Sequence, residues 1–400
     1  MRVLFVNEGN LGTHIMGQSQ LAHALQTGLP LARDVQARFA GLTPMGALAG
    51  AAASWPIKPL TSTGLDFRTL RWHLVQSLRA RSVVGEELRA WPADAMHVHS
   101  QSIALTMRAT MRAVPVALSV DTTVRDWWSM PAWSAEQRRH GEITIAPSSA
   151  LERRAFENAA LTLAWSAWAR RSIERTAPRA RVVEHHPGLD LDRYRPAARR
   201  PRERPRVLFV GGRFEAKGGE ELLRVLAEEL GETVDLDLVT PAPVLERRGV
   251  RVHRLGPSDP QLLDLQQQAD VLCLPTRADA VPWAILEAMA CGTPVLSTRV
   301  GGIPDLLDDG RAGLLVGCED PRALGEGLRA LLGDPHARAA LATRARERCE
   351  QRYDARRQIP RLIEYLRDMV AAAPHAGAPR RSTSWTSAGA SARSPNSSAG

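Results

Sequence analysis

Four cysteines in 400 residues, Cys273, Cys291, Cys318 and Cys349, are too few and too irregularly spaced for a disulfide framework. No pair has CxxC spacing, and Cys273 and Cys291 sit in apolar runs as small buried residues. No stretch approaches the ~18 consecutive apolar residues of a membrane span, and Met1–Val6 lacks the longer apolar core of a signal peptide. These absences point to the reducing cytoplasm, with a peripheral contact at the inner face of a membrane left open. A G-x-G-x-x-G run is also missing: the first strand is followed by Asn7-Glu8-Gly9-Asn10-Leu11-Gly12, which argues against an NAD-dependent oxidoreductase. No group of Asp, Glu, His or Cys has metal-site spacing. Asp190-Leu191-Asp192 has the D-x-D form of a metal motif, but it lies in a turn before a proline- and arginine-rich stretch and reads as a decoy.

What is present is a chain able to build cores, with 44% hydrophobic and 24% charged residues. Its length suits two α/β domains. A formal net charge of +9 favours anionic partners such as nucleotide phosphates or acidic lipid headgroups. Nucleic acid is disfavoured, because the excess is scattered arginine with neither an aromatic-interleaved basic stripe nor a helix-turn-helix pattern.

The run Arg-Val-Leu-Phe-Val occurs twice, at 2–6 and 206–210, each time before a polar, Gly-bearing stretch and a helical pattern. Short apolar runs closed by glycine read as buried parallel strands entering a phosphate-friendly turn. Further strands are expected near 95–99, 114–120, 143–146 and 161–164, then near 234–239, 271–274 and 294–297, with helices between. Helices are also expected near 322–332, 335–350 and 356–371. Alternating strand and helix predicts an α/β fold of two doubly wound, Rossmann-like domains. The expected layout is a first domain over 1–192, a linker over 193–206, and a second domain over 207–355. The linker holds Pro196, Pro201 and Pro205 among seven arginines, a composition that cannot bury a core. The Ala-, Ser-, Pro- and Gly-rich stretch 376–400 reads as a disordered tail.

Two constellations carry chemistry. The first runs from Asp279 to Pro294: an acid, a turn, a second acid eight positions on at Glu287, then Gly292-Thr293-Pro294. Pro282 fits a helix start, and Glu287 falls more than one turn inside, facing the crevice beyond the preceding strand. A carboxylate there can accept both hydroxyls of a ribose, while free N–H groups at the helix start meet phosphate or sugar oxygens. The second is Val210-Gly211-Gly212-Arg213-Phe214-Glu215-Ala216-Lys217-Gly218 at a strand exit. Two cations four residues apart on a glycine turn suit a pyrophosphate, Arg as a planar fork and Lys as a point charge.

In this order and spacing the two segments resemble the family 4 glycosyltransferases. Asp279…Glu287 is similar to their E-x7-E motif, and Gly212–Gly218 to their G-R-x-x-x-K-G motif. Pro187-Gly188-Leu189-Asp190…Tyr194-Arg195-Pro196 and Gly301-Gly302-Ile303-Pro304-Asp305 extend the likeness, which is specific over about 182–360 and looser before it. The resemblance implies a GT-B fold and retaining transfer of a sugar from a nucleotide-diphosphate sugar to an acceptor hydroxyl. The acceptor itself, a glycan, a lipid-linked glycan or a small molecule, is not specified. It further implies that Arg213 and Lys217 bind the diphosphate, that Glu287 holds the ribose, and that Asp279 contacts the donor sugar. The backbone of Ala280, Val281, Pro282 and Trp283 would line sugar and phosphate, and Gly12 would sit beneath the diphosphate from the other domain. The helix near 356–371 would return to the first domain. Neither a metal nor a tightly bound cofactor is implied. Three positions depart from the pattern: Asp279 is one methylene shorter than the usual Glu, Pro282 stands where many members have Gly, and Asp121 stands where the family has an active-site His.

Each residue also has a plainer reading. Asp279 and Asp121 can cap turns. His97 and His99 alternate on one strand and read as packed, hydrogen-bonded histidines, while His185 and His186 lie before a turn near the cleft. The run Trp127-Trp128-Ser129-Met130-Pro131-Ala132-Trp133 is hard to bury whole and is open between an acceptor platform and a membrane-facing loop. Rival functions on this architecture are an epimerase, a phosphorylase, or a catalytically silent nucleotide-sugar-binding protein.

Overall fold

The structure is a computed structural model describing residues 1–8, 34–43, 45–57 and 67–373. Two six-stranded sheets, both parallel throughout, organise it. The first takes β1 (Arg2–Asn7), β2 (Gln36–Gly41), β3 (Ala95–His99), β4 (Val116–Val120), β5 (Leu161–Ala164) and β6 (Val182–Glu184) in the order β2-β1-β3-β4-β5-β6. The second takes β7 (Arg206–Val210), β8 (Asp235–Val239), β9 (Val250–His253), β10 (Val271–Leu274), β11 (Val295–Thr298) and β12 (Leu314–Val316) in the order β12-β11-β10-β7-β8-β9. Strand order therefore reverses between β1 and β3 in one sheet and between β7 and β10 in the other. The crevice beyond the strand ends at such a switch point is where open α/β sheets bind ligands.

Central strands such as Leu161–Ala164, Val271–Leu274 and Val295–Thr298 are buried at every position. Helices cover both faces of such strands, so their sequences read as unbroken apolar runs rather than alternating ones. One expected strand is absent: 143–146 lies inside the helix Ala135–Asn158. Its Ile-Thr-Ile sequence favours a strand locally, but burial recurs at Gly141, Thr144, Ile145, Ser148, Glu152, Ala155 and Phe156, a helical period. Ile143 is left exposed. A capping box between Ser134 and Gln137 starts that helix and satisfies two otherwise orphaned donors.

The helix Ala355–Ala372 turns Ile359, Leu362, Ile363, Leu366 and Met369 onto Val3, Phe5, Ala95, Ala117 and Leu163, so the far end of the described chain packs on the first sheet. Leu189, Leu191 and Tyr194 belong to the core of the second domain. The arginine-rich connection runs along that domain. Arg200 pairs with Asp264 at 2.8 Å, Arg202 donates to the Gln268 carbonyl at 2.8 Å, and Arg199 donates to the Gly292 carbonyl at 3.1 Å. Gly12 and the stretch 376–400 lie outside the described residues.

The two domains touch through named contacts. Met130 is buried with Ala278 and Val300, with Trp127, Ala132, Trp133 and Trp168 packed around them. Ala132 N donates to the Arg277 carbonyl at 3.1 Å, and Trp165 meets Trp283 edge-on at 6.0 Å. Asp305 accepts from Trp168 N at 2.5 Å, so a carboxylate of the second domain satisfies a free donor in the first turn of the helix Ala167–Thr176. The tryptophan run thus goes into contact between the domains. Trp128 stacks on Trp133 at 4.4 Å, and Trp133 Nε1 donates to the Trp127 carbonyl at 3.0 Å.

Candidate functional site

The loops leaving β7 and β10 flank the switch point of the second sheet, and the two sequence constellations occupy them. Gly218 closes the first loop with φ 77°, and a Cβ there would stand 2.0 Å from the Pro275 carbonyl oxygen. Only glycine lets the loops meet so closely. This brings Lys217 onto Asp279, where its ammonium donates to Oδ2 of the carboxylate. Both side chains are largely buried. Gly301, φ 57°, passes so near the other side of the second loop that a Cβ would lie 1.8 Å from the Asp279 carbonyl oxygen, and Gly302 N donates to the Ala280 carbonyl at 2.9 Å. The double glycine thus clamps the backbone of Asp279–Ala280 from behind.

Pro282 is the cap of the helix Trp283–Ala290, which opens without a side-chain cap and leaves its first N–H groups toward the crevice end. Ala280 and Val281 are buried and Trp283 partly so. Glu287 sits inside that helix at 2% exposure. Its carboxyl accepts from the Tyr194 hydroxyl at 3.2 Å and from Gln266 Nε2 at 3.4 Å. Burial pushes its pKa up to about 8, and the two hydrogen bonds only partly oppose that shift. Arg213 is exposed, and its guanidinium carbon stands 4.9 Å from the ring centroid of Trp127, a residue of the first domain.

On the facing sheet Asp121 follows β4 and keeps an open surface toward the cleft. Enough protein surrounds its carboxyl that desolvation raises its pKa to about 6, and the charges of Asp279 and Glu8 add to the rise. The segment that carries it is tied down from below. Glu152, 2% exposed, accepts from Val124 N at 3.0 Å and Gln101 Nε2 at 2.9 Å, and the same Gln101 amide donates to the Thr122 carbonyl at 2.8 Å. Nothing in the sequence around Glu152 announces this knot, because it joins residues 21–51 positions apart.

The histidines gather elsewhere. His97, His99, His185 and His186 line a cavity of about 40 Å³ with Trp165, Gln358 and Leu362. His97 Nε2 bonds to Ser119 Oγ at 2.8 Å, and His186 bonds to the Trp165 carbonyl at 3.0 Å and to Glu184 at 3.1 Å. Burial holds His97 and His185 near pKa 3 and His99 near 4, so all three are neutral at ordinary pH. Among the described residues no group of three or more His, Cys, Asp or Glu could hold a metal. Asp190 of the D-x-D sequence accepts from Asp192 N and Arg193 N within its own turn.

Fold and site together define a class, the GT-B architecture of two facing Rossmann-like domains. Sucrose-phosphate synthase from Thermosynechococcus elongatus superposes with a TM-score of 0.71 at 18% identity, over 93% of this chain and 100% of that one. Anabaena HepE, solved with UDP and glucose, superposes with a TM-score of 0.64 at 17% identity, over 92% and 100%. Residues 204–334 match the family described as Glycosyl transferases group 1. A D-inositol 3-phosphate glycosyltransferase of Streptomyces avermitilis is 34% identical over 204 residues, covering 44% of each protein. The chain thus spans less than half the length of that curated relative. No helix among the described residues is long and apolar enough to cross a membrane.

Proposed function

We propose that the protein is a retaining glycosyltransferase that moves a sugar from a nucleotide-diphosphate sugar to an acceptor hydroxyl in the cleft between its domains. The observation that carries this reading is the pairing of Lys217 with Asp279 at the switch point of the second sheet, with the exposed Arg213 on the same loop, within a region that matches the group 1 family. Arg213 and Lys217 supply positive charge where negative charge develops on the departing diphosphate. Lys217 exchanges its Asp279 partner for a phosphate oxygen, which frees the Asp279 carboxylate for the sugar hydroxyls. Glu287 takes the ribose by releasing Tyr194 or Gln266, whose hydrogen bonds of 3.2 and 3.4 Å are long and inexpensive to exchange. Ala280, Val281, Pro282 and Trp283 line the donor.

Asp121 faces the reacting carbon from the other domain. Its ionised carboxylate favours positive charge on the sugar as the diphosphate leaves, and can take a hydrogen bond from the acceptor hydroxyl. The net positive charge and the family's donors fit a nucleotide sugar as the small-molecule partner. Cytoplasmic placement, with or without contact at a membrane surface, accords with the free cysteines and with chemistry on a cytoplasmic donor.

The test is direct. The protein is incubated with UDP-, GDP- and dTDP-sugars and candidate acceptors, and nucleoside diphosphate release and the anomeric configuration of the product are followed by proton NMR. Acceptor-dependent release with retained configuration is expected. Donor binding without any release would leave a silent binding protein, release without an acceptor product would indicate another reaction, and an inverted product would refute retention.

A further inference from the structure

We propose that Trp127 of the first domain is a positioning residue for the donor diphosphate, acting through Arg213 of the second. The inference rests on the reading that Arg213 binds the diphosphate. The two cations of the donor loop are held in different ways. Lys217 donates to a carboxylate, Asp279, which competes with phosphate for the ammonium hydrogens. Arg213 pairs with no carboxylate among the described residues; its guanidinium carbon lies 4.9 Å from the Trp127 ring centroid. An aromatic face attracts the cation electrostatically but offers no lone pair, so a guanidinium held by a ring keeps its N–H donors for a phosphate oxygen. The ring fixes the fork without occupying it.

Trp127 is itself well anchored. Its helix, Val124–Ser129, begins on the Glu152 carboxyl and on the Thr123 hydroxyl, which accepts from Asp126 N at 3.3 Å. Arg175 holds Asp126 at 2.7 Å. The Trp127 carbonyl accepts from Trp133 Nε1, and the neighbouring Met130 is buried against Ala278 and Val300 of the second domain. The ring that steadies a donor-site arginine therefore comes from the opposite side of the cleft, beside the backbone contact of Ala132 with Arg277, two residues before Asp279. Contact between the domains and readiness for the diphosphate are thereby joined in one side chain.

The experiment measures calorimetric affinity of wild type, Trp127→Leu, Trp127→Phe, Arg213→Ala and the Trp127→Leu/Arg213→Ala double variant. The probe is whichever of UDP, GDP and dTDP wild type binds most tightly; its parent nucleoside is followed by ligand-observed NMR. Trp127→Leu should weaken the diphosphate roughly three- to tenfold and leave the nucleoside unchanged, and Trp127→Phe, which keeps an aromatic face, should recover most of the loss. In the Arg213→Ala background Trp127→Leu should have no further effect, because the two residues act as one unit. If Trp127→Leu binds the diphosphate as wild type does while Arg213→Ala is impaired, the inference falls and the diphosphate role of Arg213 stands. If the nucleoside weakens as much as the diphosphate, or if Trp127→Phe fails to recover binding, Trp127 is merely structural and the inference falls. If Arg213→Ala binds normally, the diphosphate reading itself fails.

Discussion

The two domains begin with the same five residues and build the same kind of parallel sheet, yet they arm the ends of their strands differently. Beyond the second sheet stand charged groups in partnership, Lys217 on Asp279 and Arg213 on a ring. Beyond the first, burial has stripped charge away: His97, His99 and His185 are held neutral, and Asp121 is pushed toward neutrality with a pKa of about 6. The contrast suits a division of labour. One side presents charge held by partners, a cation on a carboxylate and a cation on a ring. The other presents Asp121, a carboxylate whose pKa is raised to about 6.

The largest effect is expected at Asp121. Asp121→Ala should lower turnover about a hundredfold or more and leave donor affinity nearly unchanged, because an interaction made mainly in the transition state affects rate rather than binding. Asp121→Asn separates charge from volume. With a folded pKa of about 6, raised above the usual carboxylate value, the ionised form is lost as pH falls through 6. Turnover should therefore drop about tenfold per pH unit below that point. Turnover within a few-fold of the parent in Asp121→Ala, with a lowered melting temperature, would make Asp121 a turn cap.

The charged side is sharpened by Lys217→Ala and Arg213→Ala, each of which should cost about 1.5–3 kcal/mol of nucleoside diphosphate binding by calorimetry. Lys217→Ala also leaves the Asp279 carboxylate without its cation, so its loss should exceed that of Lys217→Met combined with Asp279→Asn. The neutral side is tested by acid. The three histidines have folded pKa values below their unfolded value near 6.5, so the unfolded chain binds more protons below that pH. The histidines' contribution to stability should be intact above about pH 6.5 and shrink toward pH 4, followed as melting temperature against the parent; His97→Gln together with His185→Gln should remove most of that dependence. Glu152 and Glu287 shift the other way, to about 8, and cost stability as pH rises from the ordinary carboxylate range toward 8. The smallest effect is expected of Glu287→Gln, about 0.5–1.5 kcal/mol of ribonucleotide binding, with little change for the 2′-deoxy nucleotide. Equal losses for both would remove Glu287 from the ribose.

How much could be read in advance differs from element to element for a physical reason. The strands legible in the sequence, such as Val116–Val120, Leu161–Ala164 and Val271–Leu274, are central and wholly buried, so each is an uninterrupted apolar run. The four that escaped, Gln36–Gly41, Val182–Glu184, Val250–His253 and Leu314–Val316, are the four edges of the two sheets. An edge strand is covered on fewer sides, tolerates Gln, Arg, Glu and His, and loses the signal. The segment 143–146 failed in the opposite way, its β-branched residues suggesting a strand that the helical spacing of buried positions overruled.

The two-domain α/β class, the glycine turns and the candidate positions Arg213, Lys217, Asp279 and Glu287 are legible in the chain alone. Those depend on local spacing: a cation pair one helical turn apart, an acid eight residues before another, a glycine where φ must be positive. Their partners emerge only in the fold. Lys217 met Asp279 because β7 and β10 are neighbours at the switch point, and Arg213 met Trp127 because the domains close on one another. Glu287 met Tyr194 because the connection between the domains folds back on the second core. Residues 62, 86 and 93 positions apart carry no mark of each other in sequence, since only the folded chain brings them within reach.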